Sequence, residues 1–225
     1  MILSLHVPKT GGSSFRESLR NCYGSRALFD YGDLVGVNTP EAIAHRERRT
    51  AKARARKDDL ASRYDVIHGH FLPEKYFGLF PVEGFSAFFR DPFQQTLSHY
   101  DFFQRHPEID HPVVKLVHAV QMSLPEFIEA FPDPQTRFLG GLGIDDLAVV
   151  GPMEQYERLV ALFNSVFGCR IAPSSTRENA NPGRDGAYAV DAQTRKAIER
   201  YRGGDIEAYR RACEKFEKLA GRYDI

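Results

Sequence analysis

The chain has 225 residues, 42% of them hydrophobic, with 30 Lys and Arg against 30 Asp and Glu. This composition excludes wholesale disorder, and the zero net charge excludes a uniformly basic coat of the kind that binds nucleic acids. The length suits one domain, and three scattered cysteines are too few for a disulfide framework or a zinc site.

The first predicted element is a short apolar strand over residues 2–7, and a glycine-containing loop and a helix follow it. Ser13 or Ser14 is suited to cap this helix, because a serine oxygen accepts from the unpaired N–H groups of a first turn. The order of strand, glycine loop and helix predicts an α/β fold with a P-loop-like central parallel sheet flanked by helices. We expect a single domain over residues 1–225.

A strongly basic stretch comes next. Residues 40–63 contain few apolar side chains apart from alanine, which predicts an exposed helix. Residues 45–57 carry seven Lys or Arg against one acid, Glu47, a local charge of +6. This face is either simply solvated or an attractor for an anionic substrate.

The remaining pattern continues the α/β arrangement. Short apolar runs predict strands at 64–70, 84–89 and 147–150. Helices are predicted at 92–104, 111–121, 124–130, 153–167, 191–201 and 204–220. Residues 173–188 are rich in Ser, Asn, Gly and Pro and predict a loop. No apolar run approaches the roughly 18 residues of a membrane span, and we see no signal peptide, so we expect a cytoplasmic protein.

The most informative segment, residues 6–14, reads His-Val-Pro-Lys-Thr-Gly-Gly-Ser-Ser. It lies between a strand and a helix N-terminus, where unpaired N–H groups and the helix dipole favour an anion. Gly11 and Gly12 let a phosphate approach the backbone closely, while Lys9 adds a positive charge. A nucleoside-triphosphate P-loop places its lysine after the glycines, whereas Lys9 precedes them.

This segment closely resembles the 5′-phosphosulfate loop of sulfotransferases that use 3′-phosphoadenosine 5′-phosphosulfate (PAPS). It is most similar to carbohydrate sulfotransferases of the heparan sulfate uronyl 2-O type and to their bacterial relatives. The resemblance implies that Lys9 contacts the 5′-phosphate and the bridging oxygen. It also implies a set of residues around the 5′-phosphate and sulfonate: Thr10, Gly11, Gly12, Ser13 and Ser14.

A second segment, residues 88–100, contains candidate residues for binding the 3′-phosphate. Arg90 ends a predicted strand, where ligands of open α/β sheets gather, and its planar fork suits a phosphate. Ser98 lies eight residues further on, about two turns along a helix. Sulfotransferases carry a similar Arg and Ser, which implies that these two residues bind the 3′-phosphate. Gln95 stands where the family often has a second Arg. Without the first loop, Arg90-Asp91-Pro92 indicates only a strand-exit turn.

The pair His68-Gly69-His70 places two imidazoles on one face of a strand. A metal site would need a third ligand, and either ring can serve a structural role. Imidazole can also act as a general base at neutral pH. Uronyl 2-O-sulfotransferases carry a similar segment, which implies that His70 is the base and that His68 supports it or contacts the acceptor.

Looser similarities extend the resemblance over most of the chain, at residues 135–141, 149–154 and 176–184. The last of these falls where a cofactor-covering loop often lies, and its Arg177 and Arg184 could reach a phosphate.

The resemblance implies a transferase that moves a sulfuryl group in line from PAPS to an acceptor hydroxyl, on a carbohydrate or another small molecule, with a histidine base and no metal. Nucleic acid and membrane are not expected partners. Two alternatives stay open. One is a P-loop-type phosphotransferase that depends on ATP and Mg²⁺, and the other is a non-catalytic nucleotide- or nucleic-acid-binding module that uses residues 41–63.

Overall fold

The computed structural model describes residues 1–174 and 186–225, and these build an all-parallel sheet flanked by helices. The strands are β1 (Ile2–Leu5), β2 (Ala27–Asp30), β3 (Val66–Gly69), β4 (Phe85–Phe89) and β5 (Val149–Pro152). They lie in the order β2-β3-β1-β4-β5. The predicted fold class is confirmed.

Helices precede and follow the strands. They are α1 (Gly12–Tyr23), α2 (Pro40–Ala55), α3 (Lys57–Arg63), α4 (Pro92–Arg105), α5 (Pro112–Ala119), α6 (Leu124–Ala130), α7 (Pro134–Arg137), α8 (Tyr156–Phe167), α9 (Ala192–Tyr201) and α10 (Gly203–Tyr223). Proline occupies an early helical position in α2 and in α4 to α7, where its missing N–H leaves no bond unmade.

Apolar side chains cover both faces of the sheet, as a parallel sheet requires. In β1, Leu3 and Leu5 join the core on one face and Ile2 joins the core on the other, because neighbouring residues of a strand point to opposite faces. Helices α1 and α8 cover the second face through Phe15 and Phe163. The strands are therefore anchored from both sides, and the loops at their ends are held firmly.

The strand order reverses at the centre of the sheet. From β1 the chain builds β2 and β3 on one side, then crosses to build β4 and β5 on the other. In open α/β sheets, ligands bind outside the carboxyl ends of the strands at such a reversal. The gap between the loops after β1 and β4 is therefore the expected place for a site.

The basic stretch at 40–63 does not form one helix, contrary to the prediction. Helix α2 ends at Ala55 and α3 begins at Lys57, with Arg56 between them at φ −115° and ψ 22°. Asp58 and Asp59 lie in the first turn of α3, where acidic side chains favour the start of a new helix.

A third apolar cluster lies apart from the sheet, where α4, α5 and α6 meet. Its buried members are Phe103, Val114, Val117, Met122 and Phe127. Side-chain caps fix the helix starts around it, with Asp91 accepting from the Gln94 N–H at 2.9 Å. This cluster lies beside the carboxyl edge of the sheet.

Among the helices of residues 1–174 and 186–225, we find none with the length and apolar character needed to cross a membrane.

Candidate active site

A cavity of about 1220 Å³ lies at the carboxyl edge of the sheet. Most residues singled out from the sequence line it: Lys9, Gly11, Gly12, Ser13, Ser14, His70, Arg90 and Ser98. Thr10 and His68 are not in this lining. Pockets for one drug-sized ligand span about 300–1000 Å³, so this cavity can take two reactants together.

The loop after β1 turns sharply, because Lys9 and Gly11 both adopt positive φ, 65° and 82°. Helix α1 begins at Gly12 with Gly11 as its N-cap, so Ser13 and Ser14 lie inside the first turn. The prediction that either serine caps α1 is therefore wrong, because the left-handed glycine ends the loop before them. A glycine cap has no side chain to satisfy the N–H groups of the first turn.

Close packing beneath the loop explains two more of its residues. A Cβ at Gly12 would overlap the His6 ring, so only glycine fits there. The Thr10 hydroxyl is buried and donates to the Val7 carbonyl at 2.8 Å. Thr10 therefore shapes the loop with its side chain, and only its backbone is left to meet a ligand.

Lys9 is a partly buried cation. Its Nζ lies 4.2 Å from the centre of the Phe102 ring. Burial lowers the pKa of Lys9 to about 8, and repulsion from Arg105 and Arg90 adds to the effect. An anion bound beside Nζ would stabilise the protonated form.

Arg90 reaches from the end of β4 towards the same loop. Its guanidinium donates to the Lys9 carbonyl at 3.3 Å. The buried Gln135 amide accepts from the Arg90 N–H and donates to the Arg90 carbonyl, each at 2.9 Å. Burial lowers the pKa of Arg90. Two cations on adjacent strands thus converge on the crevice where the strand order reverses.

Helix α4 ties this arrangement together. Ser98 is nearly buried and lines the cavity. Gln95 is fully buried and donates to the Pro8 carbonyl at 3.0 Å. Gln95 thus fixes the loop after β1 to α4.

His68 is held by the fold. Its Nδ1 lies 2.9 Å from the Ser4 Oγ and its Nε2 lies 3.2 Å from the Gly12 carbonyl oxygen. Burial lowers the pKa of His68 to about 3, so the ring is neutral at pH 7. It joins β1 and β3 to the start of α1, which is a supporting position beneath the loop.

His70 follows β3 and faces the cavity. Its ring packs against Tyr31, with centroids 4.9 Å apart, and against Phe138, at 5.6 Å. Burial lowers the pKa of His70 to about 4, and repulsion from His111 and Arg16 contributes. Nε2 is buried and has no hydrogen-bond partner among the described residues. The ring is therefore neutral at pH 7, and its Nε2 makes no hydrogen bond to any described residue.

The His6 ring packs against both other histidines of this region, stacked on His68 and tilted by 60° to His70. The His6 centroid lies 5.1 Å from that of His68 and 4.4 Å from that of His70. Within residues 1–174 and 186–225, no group of three or more His, Cys, Asp or Glu side chains is arranged to hold a metal ion.

Part of the basic stretch serves the fold. Arg49 pairs with Asp30 and with Asp33, both nearly buried at the end of β2. Arg46 donates to the Val37 carbonyl at 2.7 Å, and His45 bonds the Gly32 carbonyl. These contacts fasten α2 to residues 31–37, and part of that segment lines the cavity.

Several lining residues were not predicted from the sequence, among them Tyr31, His111, Arg137, Phe138 and Tyr188. The sequence offered one signal for them, the position of Tyr31 directly after strand β2, and that strand was itself not predicted. The others lie far along the chain from the loop after β1. The predicted contacts of Arg177 and Arg184 lie outside the described residues.

No family model matches this chain, and no curated protein matches it either.

Proposed function

We propose that this protein transfers a sulfuryl group from PAPS to the hydroxyl of an acceptor. The observation that carries the proposal is the meeting of three parts around one cavity. These parts are the loop with Lys9, the cation Arg90 from the adjacent strand, and the unpartnered Nε2 of His70.

The donors around the cavity suit a nucleotide that carries phosphate at two places. Lys9 and the first turn of α1 offer a cation and backbone N–H groups for the 5′-phosphosulfate. Arg90 and Ser98 lie on the β4 side and offer a fork and a hydroxyl for the 3′-phosphate. The lowered pKa of Lys9 fits this role, because a dry cation binds an anion more strongly than a solvated one.

When bound, PAPS supplies the sulfuryl group. Lys9 and the N–H groups of the first turn of α1 are placed to stabilise the negative charge that grows on the leaving phosphate oxygen. The Arg90 and Gln95 contacts to the loop hold these groups in position before the reaction, which lowers the cost of reorganisation.

His70 takes the proton of the acceptor hydroxyl at Nε2. The ring is neutral above about pH 4, so this nitrogen is available as a base at neutral pH. Tyr31 and Phe138 fix the ring from two sides. His6 packs behind the His70 ring at a tilt of 60° and itself stacks on His68, which supports the segment after β3.

The reaction belongs in the cytoplasm on this proposal. All three cysteines, Cys22, Cys169 and Cys213, are unpaired thiols, which supports a reducing compartment.

Transfer kinetics test the proposal. We expect sulfated product, detected by mass spectrometry, from PAPS and a panel containing 2-naphthol and a uronic-acid disaccharide. Lys9→Ala and His70→Ala should each lower kcat/KM by about 100-fold or more, because one removes charge stabilisation and the other the base. Lys196→Ala, an exposed charge on α9, is the matched control and should leave kcat/KM unchanged. A fully active Lys9→Ala or His70→Ala variant would contradict the assigned roles.

The alternatives predict other ligands. A P-loop-type phosphotransferase would prefer ATP with Mg²⁺, yet Lys9 precedes the glycines here. A nucleic-acid-binding module would use the cations of α2, but Arg46 and Arg49 are engaged with residues 30–37. Such a module would also keep its function in His70→Ala.

A further inference from the structure

Three chain segments bring apolar side chains into the cavity around His70. We call these apolar side chains the apolar wall. They are Leu34, Val35, Ile109, Val113, Phe131 and Phe138. Each segment has a residue beside His70. Tyr31 and Phe138 contact the ring, and His111 lies near enough to repel its charge. The acceptor hydroxyl at His70 Nε2 would therefore belong to a molecule seated against this wall.

Three polar side chains of these segments, Tyr31, His111 and Arg137, each already have a hydrogen-bond partner within the protein. The Tyr31 hydroxyl bonds His6 Nδ1 at 2.8 Å, and the Arg137 guanidinium donates to the Pro132 carbonyl at 3.1 Å. His111 accepts from the Val113 N–H as the cap of α5. A sugar seated here would lose water from several hydroxyls and find few partners for them, which is unfavourable. An apolar ring would gain by leaving water.

We propose that the acceptor is a planar aromatic hydroxyl compound of the phenol class, seated against the apolar wall with its hydroxyl at His70 Nε2. This acceptor class rests on the proposed function. The phenolic oxygen forms the new bond to sulfur, the bond from sulfur to the bridging phosphate oxygen breaks, and the phenolic proton passes to Nε2. The products are an aryl sulfate and 3′-phosphoadenosine 5′-phosphate (PAP).

Two features favour an aromatic ring over an aliphatic alcohol. Tyr31 and Phe138 meet His70 edge-on, so a third flat ring can pack among them in the edge-to-face manner that aromatic groups prefer. The low pKa of His70, about 4, also makes it a weak base. A weak base takes a proton more readily from a phenol, whose pKa is about 10 as in tyrosine, than from a sugar hydroxyl.

Calorimetry of the full chain saturated with PAP tests the acceptor class without requiring turnover. We expect 2-naphthol to bind and a uronic-acid disaccharide to bind at least about tenfold more weakly. Val113→Ser and Ile109→Ser remove apolar surface from the wall and should each weaken 2-naphthol binding about tenfold. Leu116 lies on the same helix as Val113 but is exposed and does not line the cavity. The control variant Leu116→Ser should therefore change the affinity for 2-naphthol less than twofold.

Preferred binding of the disaccharide would overturn the phenol class. So would 2-naphthol binding that is unchanged in both wall variants, since each variant alone reports on the wall. PAP binding without 2-naphthol binding would overturn this inference and leave the proposed function standing. If 2-naphthol binds and the wall variants weaken that binding, but PAP does not bind, the apolar wall would be supported as a binding surface. The proposed function would then be overturned.

Discussion

Lys9 and His70 hold the protonation states that the proposed sulfuryl transfer needs over the same pH range. Burial lowers the pKa of both, to about 8 for Lys9 and about 4 for His70. Between these values the lysine is charged and the histidine is neutral. One physical cause, the burial of both side chains, therefore shifts both pKa values in the direction that the proposed transfer needs.

The pH dependence of kcat/KM should show both groups. The rate constant should rise with pH through about 4 as His70 loses its proton, and fall above about 8 as Lys9 loses its charge. Lys9→Arg should lower the plateau but remove the fall above pH 8, because arginine stays protonated. The check is a kcat/KM profile of both proteins. An alkaline limb that is the same in Lys9→Arg would assign it to another group.

At this scale the sequence predicts residue types better than their contacts. Lys9, Arg90 and His70 follow three strand ends, and the structure brings all three to one cavity. The sequence could not show that His68 would bond Ser4, because the partner lies 64 residues away. Nor could it show that Gly11, and not a serine, would cap α1, since that depends on the backbone of one turn.

Helix α2 acts as a brace for the cavity. Behind its contacts to residues 31–37 lies a buried charge network, in which Lys75 Nζ is 2.5 Å from Asp30 and 2.8 Å from Asp33. The Tyr76 hydroxyl donates to Asp30 at 2.8 Å. Arg49 supplies the second cation, so the two carboxylates are balanced by two positive charges.

Removing that second cation should loosen the brace. Arg49→Met leaves Asp30 and Asp33 with Lys75 alone, and we expect the free energy of unfolding to fall by about 1–3 kcal/mol. The figure lies below that for a fully buried pair because the Arg49 side chain is 35% exposed. Arg48→Met, the exposed neighbour on α2, should change stability by less than about 0.5 kcal/mol. Urea unfolding measures both variants, and equal losses would contradict the brace.

Elements with a strong pattern were predicted well, and weak ones were not. Strands β1, β3 and β4 lie within the predicted apolar runs, because strands buried on both faces leave such runs, and β5 begins two residues after the start of the strand predicted at 147–150. Strand β2 was missed, since three of its four residues, Ala27 to Phe29, are only partly buried at the sheet edge. The break at Arg56 was missed because charged, alanine-rich sequence suits either one helix or two.

On the scale of the whole molecule, the neutral charge balance conceals an uneven arrangement. Cations from the β1 and β4 loops converge where the strand order reverses, while Arg49 of α2 pairs with Asp30 and Asp33 at the end of β2. The loop positions follow from strand order, so the sequence could predict the polar half of the site. The apolar wall could not be predicted, because its three segments lie far apart in the sequence and meet only in the folded chain, one held by α2 and the others by the packing around α4 to α7.

Calorimetric titration with PAP, ADP and ATP measures whether the cavity binds a nucleotide that carries a 3′-phosphate. We expect PAP to bind at least about 100-fold more tightly than ADP or ATP. Arg90→Ala should weaken PAP binding about 10- to 100-fold through loss of a charged fork, whereas His70→Ala and the surface control Arg48→Ala should leave it unchanged. If ATP binds as tightly as PAP or more tightly, the cavity does not select a 3′-phosphate and the proposed use of PAPS is contradicted.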